Sequence, residues 1–224
     1  MCGSQSEENG LAHTRAKRHA STMTARHDTQ DRSVEAAGRE PSREEAVLNA
    51  AATLFAEKGY AATSIRDIGE RVGLLGGSLY HYIKSKDALF VRIHDRALQS
   101  AEDAIRAGIA DIEDPVQRLA SACRILLAIQ LAPDSLTMPL MNDLGSVPEG
   151  LRERLIERRD AFETMFAELI AAVPPVAGRD PDIYRLLLLT TLNTASNWYR
   201  PGRLTSDEVA DQILATYGID PGGA

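Results

Sequence analysis

Apolar side chains recur every three or four residues through most of the chain beyond residue 42, a spacing that predicts α-helices. Ser42 followed by Glu45 has the form of a capping box, which predicts the start of a first helix, and Gly59 predicts its end. A second helix is expected over 63–73 and a very short third one over 76–82. The ordered part of the chain therefore begins with three closely spaced helices.

A much longer fourth helix is predicted after Ser85, which would cap it. Thr205 with Glu208 forms another capping-box pattern, at the start of the last helix. The helices expected after the fourth one cover 115–130, 135–143, 149–173, 181–199 and 205–217. No alternation of apolar and polar residues is long enough for a strand, so the predicted fold class is all-α.

Residues 1–41 are rich in Ser, Thr, Gln, Glu and Arg and contain almost no large apolar side chains. Such a segment cannot bury enough apolar surface to compensate for the entropy that is lost on ordering. We expect a disordered tail. Its basic residues could contact DNA phosphates, but a solvated extension is the simpler interpretation.

The charge of the chain is unevenly distributed, which changes what its net charge of −7 implies. Residues 1–42 are neutral overall, residues 43–96 carry a net charge of +1, and residues 97–224 carry −8. An acidic C-terminal part repels DNA, whereas a small and locally basic N-terminal part does not. The charge pattern argues against a protein that coats DNA with its whole surface, but it permits a compact DNA-reading domain.

Several other classes of protein are disfavoured by what the sequence lacks. It has no apolar run near the length of about 18–20 residues that a transmembrane helix needs, and no secretory signal pattern at its start. Cys2 and Cys123 have no neighbours at a metal-ligand or redox spacing. G-x-S-x-G, a phosphate-binding glycine loop and H-E-x-x-H are missing too. We expect a cytoplasmic protein that is not an enzyme, binds no metal or cofactor and has no membrane partner.

A short turn at Gly73, between the second and third helices, matches the helix-turn-helix plan of DNA-binding proteins. Leu79 would pack inward, and hydroxyl and aromatic groups of the third helix would face outward. Such groups suit phosphate oxygens and base edges in the major groove. The side chains expected on or beside this outer surface are Arg66, Ser78, Tyr80, His81, Tyr82 and Lys86.

Two runs of sequence here resemble the signature of the TetR family of transcriptional regulators. They are T-S-I-R-D-I-G at 63–69 and G-L-L-G-G-S-L-Y-H-Y-I-K-S-K-D-A-L at 73–89. The resemblance implies that residues of both runs contact operator DNA, including the start of the second helix, where the helix dipole favours a phosphate. The DNA-binding residues expected are Thr63, Ser64, Arg66, Gly77, Ser78, Tyr80, His81, Tyr82 and Lys86.

Three positions depart from the family pattern. Leu75 stands where the family usually has a Ser or Thr cap, and Gly76 stands where a polar base-reading residue is common. Gly69 replaces a common Ala, which should cost the helix about 0.5–1 kcal/mol. These departures predict fewer side-chain contacts to bases and a closer approach of the backbone.

The segment N-T-A-S-N-W-Y-R-P-G-R-L-T at 193–205 is similar to the C-terminal half of one TetR subgroup, several members of which resemble sensors of acyl-CoA thioesters. Four consecutive leucines at 186–189 precede it, and they place apolar groups all round a helix. Such a helix must be covered on two sides, which predicts a homodimer with a four-helix seam. The residues expected at the dimer interface are Leu186, Leu189, Asn193, Asn197, Val209, Ile213 and Tyr217.

Soft and aromatic side chains in the middle helices are candidates for an effector cavity, since methionine adapts to irregular ligands. The same residues at helical spacing also fit an ordinary hydrophobic core. Arg158 and Arg159 could meet a phosphate or carboxylate of the effector, or they could simply form a solvated face. The ligand-binding candidates are Cys123, Leu127, Met138, Met141, Phe162, Met165, Phe166 and Trp198.

Together these features divide the chain into a tail at 1–41, a helix-turn-helix domain at 42–90 and a ligand-binding and dimerisation domain at 91–220. The predicted function is that of a repressor which binds a palindromic operator as a homodimer and is released by a small, largely apolar effector. The resemblance implies an acyl-CoA thioester as that effector. The alternatives are an architectural DNA-binding protein without an effector and an enzyme on a helical scaffold.

Overall fold

The structure, a computed structural model, describes residues 42–132, 144–145, 147–174 and 178–220. In these ranges every regular element is a helix, which confirms the all-α fold class. The helices are α1 Arg43–Ala62, α2 Ile65–Arg71, α3 Gly76–Leu79, α4 Lys86–Ile109, α5 Pro115–Leu131, α6 Glu149–Ala171, α7 Pro181–Asn193, α8 Ala195–Trp198 and α9 Ser206–Thr216. The expected tail at 1–41, the expected helix at 135–143, Met138 and Met141 lie outside the described residues.

Two of the predicted caps are confirmed in atomic detail. The Ser85 hydroxyl accepts a hydrogen bond from the N–H of Ala88 at the start of α4. Thr205 and Glu208 form a reciprocal capping box at the start of α9. Since each cap satisfies backbone donors that a helix start leaves free, these sequence patterns mark the helix starts reliably.

Three predicted boundaries were wrong. The N-cap of α2 is Ser64 rather than Thr63, because the Ser64 side chain forms the capping box with Asp67. The short recognition helix α3 ends at Leu79, and residues 80–82 form a turn. The helix expected to run to residue 199 is interrupted at Thr194, which leaves the helical conformation and separates α7 from α8.

The described hydrophobic core consists of two clusters that meet along α4. The first, which we call the head cluster, joins α1, α2, α3 and the start of α4 to Leu144, Val147, Leu151 and Leu155. The second, the body cluster, joins the rest of α4 to α5, the later part of α6, and α7–α9. The proposed domain boundary between residues 90 and 91 therefore lies inside a continuous helix. None of the described helices combines the length and apolarity needed to cross a membrane.

Candidate nucleic-acid interface

The turn between α2 and α3 sets the position of the recognition helix. Gly73 has a φ of 66°, in the left-handed region that favours glycine, and it reverses the chain after α2. The N–H of Leu74 then donates to the carbonyl of Gly69 at 2.8 Å. Behind the turn, Ile68 and Leu79 are fully buried in the head cluster, which confirms the predicted inward packing of Leu79.

Gly69 makes this turn possible. A Cβ atom added at Gly69 would lie 2.9 Å from the carbonyl oxygen of Leu74, which is closer than real Cβ contacts come. The glycine expected from the sequence to weaken α2 is therefore required by the close approach of the turn to the helix.

The surface presented by this unit contains most of the predicted DNA-binding side chains. Tyr80 has 59% of its surface exposed, although tyrosine commonly buries its ring. The predicted residues that are exposed here are Ser64, Arg66, Gly77, Ser78, Tyr80 and His81. Tyr82 is half-buried and packs against the head cluster, so the two tyrosines of the motif differ in their surroundings.

Two of the exposed residues at the start of α2 are already paired. The Ser64 N–H and hydroxyl both donate to the Asp67 carboxylate, at 2.8 and 2.7 Å. These hydrogen bonds from Ser64 lower the pKa of Asp67. Arg66 forms an exposed ion pair with Glu70 at 2.8 Å, which partly neutralises its charge. A phosphate contact by Arg66 would therefore compete with Glu70.

Thr63 does not present its side chain to DNA. Its hydroxyl lies 2.8 Å from the carbonyl oxygen of Gly59 and 3.1 Å from that of Leu54, and the residue is buried. The hydroxyl is engaged by carbonyl groups of α1 in this structure, and the phosphate contact by this side chain stays a prediction.

Lys86 also has a role different from the one expected. Its Nζ atom donates to the carbonyl oxygens of Tyr60 at 2.7 Å and Thr63 at 2.9 Å, and lies 3.5 Å from that of Ala61. It stands over the Tyr60 ring, 4.2 Å from the ring centroid. The Tyr60 hydroxyl in turn donates to Asp87. Because the ammonium is occupied by backbone carbonyls, Lys86 holds the end of α1 against the start of α4.

The predicted ligand-binding residues that are described occupy two kinds of environment. Trp198 is about half exposed. Burial raises the pKa of the Cys123 thiol to about 12, so this cysteine is an inert core residue. The candidates that lie in the body cluster are Cys123, Leu127, Phe162, Met165 and Phe166.

The body also holds buried polar groups that the sequence pattern did not indicate. Both ring nitrogens of His94, on α4, are buried without a hydrogen-bond partner. The same is true of Gln130 Oε1 on α5 and of Arg159 Nε on α6. Gln130 Nε2 donates to Asn193 at 2.9 Å. A histidine in a helix of apolar periodicity gives no sequence signal of this kind, because the segments that bury it are distant in the sequence.

A separate cavity of about 570 Å³ lies among the helices that follow α4. It is bordered by the start of α5, the end of α6, the start of α7 and the segment after α9. Residues that line it include Val116, Ile170, Val173, Arg179, Tyr184 and Arg185. Of the predicted ligand-binding residues that the structure describes, none lines this cavity.

The predicted interface residues also differ in how far they are exposed. Leu189, Val209 and Ile213 are buried within the protomer, so they have little surface to offer a second copy, and their place in a dimer seam stays a prediction. Leu186 and Asn197 are exposed, and Asn193 and Tyr217 are half-buried. The large apolar side chains that α7 leaves exposed are Ile183, Leu186 and Leu187, each with 52–55% of its surface free.

Comparisons with known proteins place this geometry in a family. A family model described as bacterial regulatory proteins of the tetR family matches residues 47–93. A second model, described as a tetracyclin repressor-like C-terminal domain, matches residues 112–217. The first model covers most of α1, all of α2 and α3 and the start of α4, and the second covers α5–α9.

Relatives and solved structures agree with these matches. The HTH-type transcriptional repressor KstR2 of Mycobacterium tuberculosis is 30% identical over 190 residues, covering 80% of this chain and 92% of the relative. The solved structure of the ketosteroid transcriptional regulator KstR2 of that organism is 26% identical, with a TM-score of 0.63, and covers 80% of this chain and 95% of that one.

A further solved structure, of AibR in complex with isovaleryl coenzyme A and operator DNA, has a TM-score of 0.67 at 23% identity. It covers 78% of this chain and 97% of the AibR chain, and at this identity it shows a shared fold. With the helix-turn-helix and its exposed surface, the matched models show that this chain belongs to the TetR family of bacterial transcriptional regulators, which are DNA-binding proteins and not enzymes.

Proposed function

We propose that this protein is a repressor that binds a palindromic operator as a homodimer and releases it when a small, largely apolar acyl-CoA thioester binds in the body. The exposed surface of Ser64, Ser78, Tyr80 and His81 is the observation that carries the DNA-binding part. Hydroxyl, imidazole and phenol groups on a helix-turn-helix suit base edges and phosphates.

The exposed apolar face of α7 supports the homodimer. Ile183, Leu186 and Leu187 lie within one and a half turns of the helix, and each is more than half exposed. A second copy of the chain would remove them from water in a two-fold contact. The two helix-turn-helix units of such a two-fold dimer would recognise an inverted repeat whose half-sites lie about one turn of the DNA helix apart.

The unpartnered polar groups of the body support an effector. Burying a polar group without a partner costs about 1–3 kcal/mol, so the His94 ring and Gln130 Oε1 destabilise the effector-free protein. Arg159 Nε makes no hydrogen bond but lies 3.6 Å from the Glu163 carboxylate, so a ligand oxygen would compete with that carboxylate for the N–H. A thioester carbonyl oxygen would accept a hydrogen bond from an N–H of His94 or Arg159, and Gln130 Oε1 would accept one from a donor group of the ligand, while the acyl chain contacts apolar side chains.

The protein's similarity to AibR supports the same class of effector. AibR was solved with isovaleryl coenzyme A and operator DNA together, which makes isovaleryl coenzyme A the first probe to test. The ligand would bind better to a conformation in which the two heads are wrongly spaced for the operator, and by linkage the operator would weaken ligand binding by the same factor.

Operator release measures this proposal directly. A fluorescent operator, selected from random DNA with the full-length protein, is titrated with isovaleryl coenzyme A, longer acyl-CoA thioesters, free coenzyme A and free fatty acids. We expect thioesters to weaken operator binding by about 5–150-fold, and coenzyme A alone to have no effect. Release by fatty acids alone, or by none of these compounds, would exclude the thioester while leaving operator binding intact.

His94→Leu tests whether the unpartnered polar groups belong to the effector site. The variant replaces a buried polar ring by an apolar side chain, so we expect it to unfold at a higher temperature than the wild type. It should bind the operator normally but need at least tenfold more thioester for release. A variant with unchanged thioester response would remove His94 from the proposed site.

A further inference from the structure

Leu75 is the large apolar residue with the highest exposed fraction in the described chain, 85%. It is the N-cap of the recognition helix α3, with φ −67° and ψ 146°. Leu79, only four residues later, is fully buried, so the two leucines at the ends of this segment lie in opposite environments. The Leu75 side chain therefore lies in solvent at the start of α3 and is not part of the head cluster.

The folded state gives no reason for a leucine at this position. N-caps favour Ser, Thr, Asp and Asn because their side chains accept a backbone hydrogen bond, and leucine is among the least favourable. No side chain caps α3. Leu75 thus leaves a helix start uncapped and an apolar side chain in water, which is the kind of local cost expected at a functional position.

The backbone around Leu75 is held firmly. Its carbonyl oxygen accepts from the N–H of Ser78 at 2.9 Å and from that of Leu79 at 3.3 Å. The preceding residue, Leu74, is bonded to Gly69, whose missing Cβ lets the turn approach α2. The backbone position from which the Leu75 side chain projects is consequently fixed relative to Ser78.

We propose that Leu75 reads the C5-methyl group of a thymine in each operator half-site. In helix-turn-helix complexes the N-terminal residues of the recognition helix contact base edges in the major groove. The thymine methyl is the apolar group on those edges, and apolar side chains recognise it by contact. Leu75 stands at the N-terminus of α3, next to the exposed Ser78, with no other partner for its apolar surface.

Replacing thymine by deoxyuridine tests this contact, because deoxyuridine lacks the methyl group and keeps every hydrogen-bonding atom. The substitution is made at one thymine at a time in the operator that the wild type selects. We expect one thymine per half-site at which the wild type binds about fourfold more weakly, the effect of one buried methyl group. Substitution of both half-sites should weaken binding about fifteenfold, a doubling that rests on the proposed homodimer.

Leu75→Ala should bind the two forms of this operator with less than a twofold difference, whereas Leu75→Met, which keeps apolar contact, should retain the difference. Ser78→Ala is the matched control in the same head. It should lower affinity on both operators and leave the penalty for the missing methyl unchanged.

Leu75→Ser separates readout from folding. A serine can cap α3, so this variant should unfold at a higher temperature than the wild type. It should nevertheless lose the penalty for deoxyuridine. The proposal is overturned if no thymine shows a methyl penalty with the wild type, or if the penalty persists in both Leu75→Ala and Leu75→Ser.

Discussion

Lys86 and Tyr60 form a contact that holds three segments of the reading head together. The ammonium group bonds the carbonyl oxygens of Tyr60 and Thr63 and lies over the Tyr60 ring, while the Tyr60 hydroxyl bonds Asp87. Burial and the bond to Asp87 raise the pKa of Tyr60, so the phenol stays protonated. A residue that the family motif suggests for phosphate contact is here part of the scaffold beneath the DNA-reading surface.

Lys86→Met tests this scaffold role. We expect the free energy of unfolding to fall by about 1–3 kcal/mol, because buried carbonyl groups lose their donor. The slope of operator affinity against salt should stay unchanged, since no phosphate contact is lost. The neighbouring, exposed Lys84→Met should leave stability unchanged. A salt slope lower by about one in Lys86→Met would instead indicate a direct phosphate contact.

Tyr80 and Tyr82 should differ sharply on substitution. Tyr80→Ala should weaken operator binding by about 1–3 kcal/mol without loss of stability, because the ring is mostly exposed. Tyr82→Ala should lower both operator affinity and the unfolding temperature, because its ring packs against the head cluster. Operator titration and thermal unfolding of both variants measure this, and equal stability losses would show that Tyr80 also packs in the fold.

His94 predicts how stability depends on pH. Burial lowers its pKa to about 4, with Asp95 opposing the shift and Arg158 and Arg159 adding to it. The unfolded chain, whose histidine has a pKa of about 6.5, therefore binds a proton more readily than the folded one. The free energy of unfolding is therefore unaffected by this group above about pH 6.5, and it decreases as pH falls from 6.5 toward 4. Urea unfolding at pH 7.5 and pH 5.0 should show a smaller drop in His94→Leu than in the wild type.

The turn between α2 and α3 shows where helix propensity and tertiary contact disagree. Gly69 lowers helix propensity, yet the carbonyl oxygen of Leu74 occupies the space that an alanine Cβ would need. Gly150, near the start of α6, has nothing within 4 Å of its own Cβ position. These two glycines form a matched pair.

Gly69→Ala should therefore destabilise the protein, although propensity alone predicts a gain of about 0.5–1 kcal/mol. Gly150→Ala should show that gain, since its helix can accept the methyl group freely. Urea unfolding of both variants measures the difference. Stabilisation by Gly69→Ala would mean that the turn shifts away from α2 without cost.

The helices themselves followed from the sequence because apolar spacing and caps are local signals. The starts of α4 and α9 were placed correctly by Ser85 and Thr205. The partners of Lys86 and the burial of the His94 ring were not predictable, because both depend on which distant segments come together. The same limit applies to α7, where the run of four leucines could not show which side the protomer itself covers.

The homodimer predicted for the whole molecule depends on the face of α7 that the protomer leaves free. Leu186→Glu combined with Leu187→Glu should give a folded monomer in sedimentation, because two charges would be buried in the seam. Operator binding should fall strongly, since a single head contacts one half-site. Far-ultraviolet circular dichroism confirms the fold, and a dimer that survives the double substitution would place the seam elsewhere.

Four side chains of the head cluster come from a part of the sequence far after α1–α3 and the start of α4: Leu144, Val147, Leu151 and Leu155. The DNA-reading unit, which consists of α1–α3 and the start of α4, is thus not independent of the rest of the chain. If it were produced alone, it would expose apolar surface that these four residues normally cover. A chimera that joins this head to the body of a relative would need matching side chains at the start of α6. Substitutions there can alter operator affinity without touching DNA or effector, which gives evolution a third place at which to adjust the regulator.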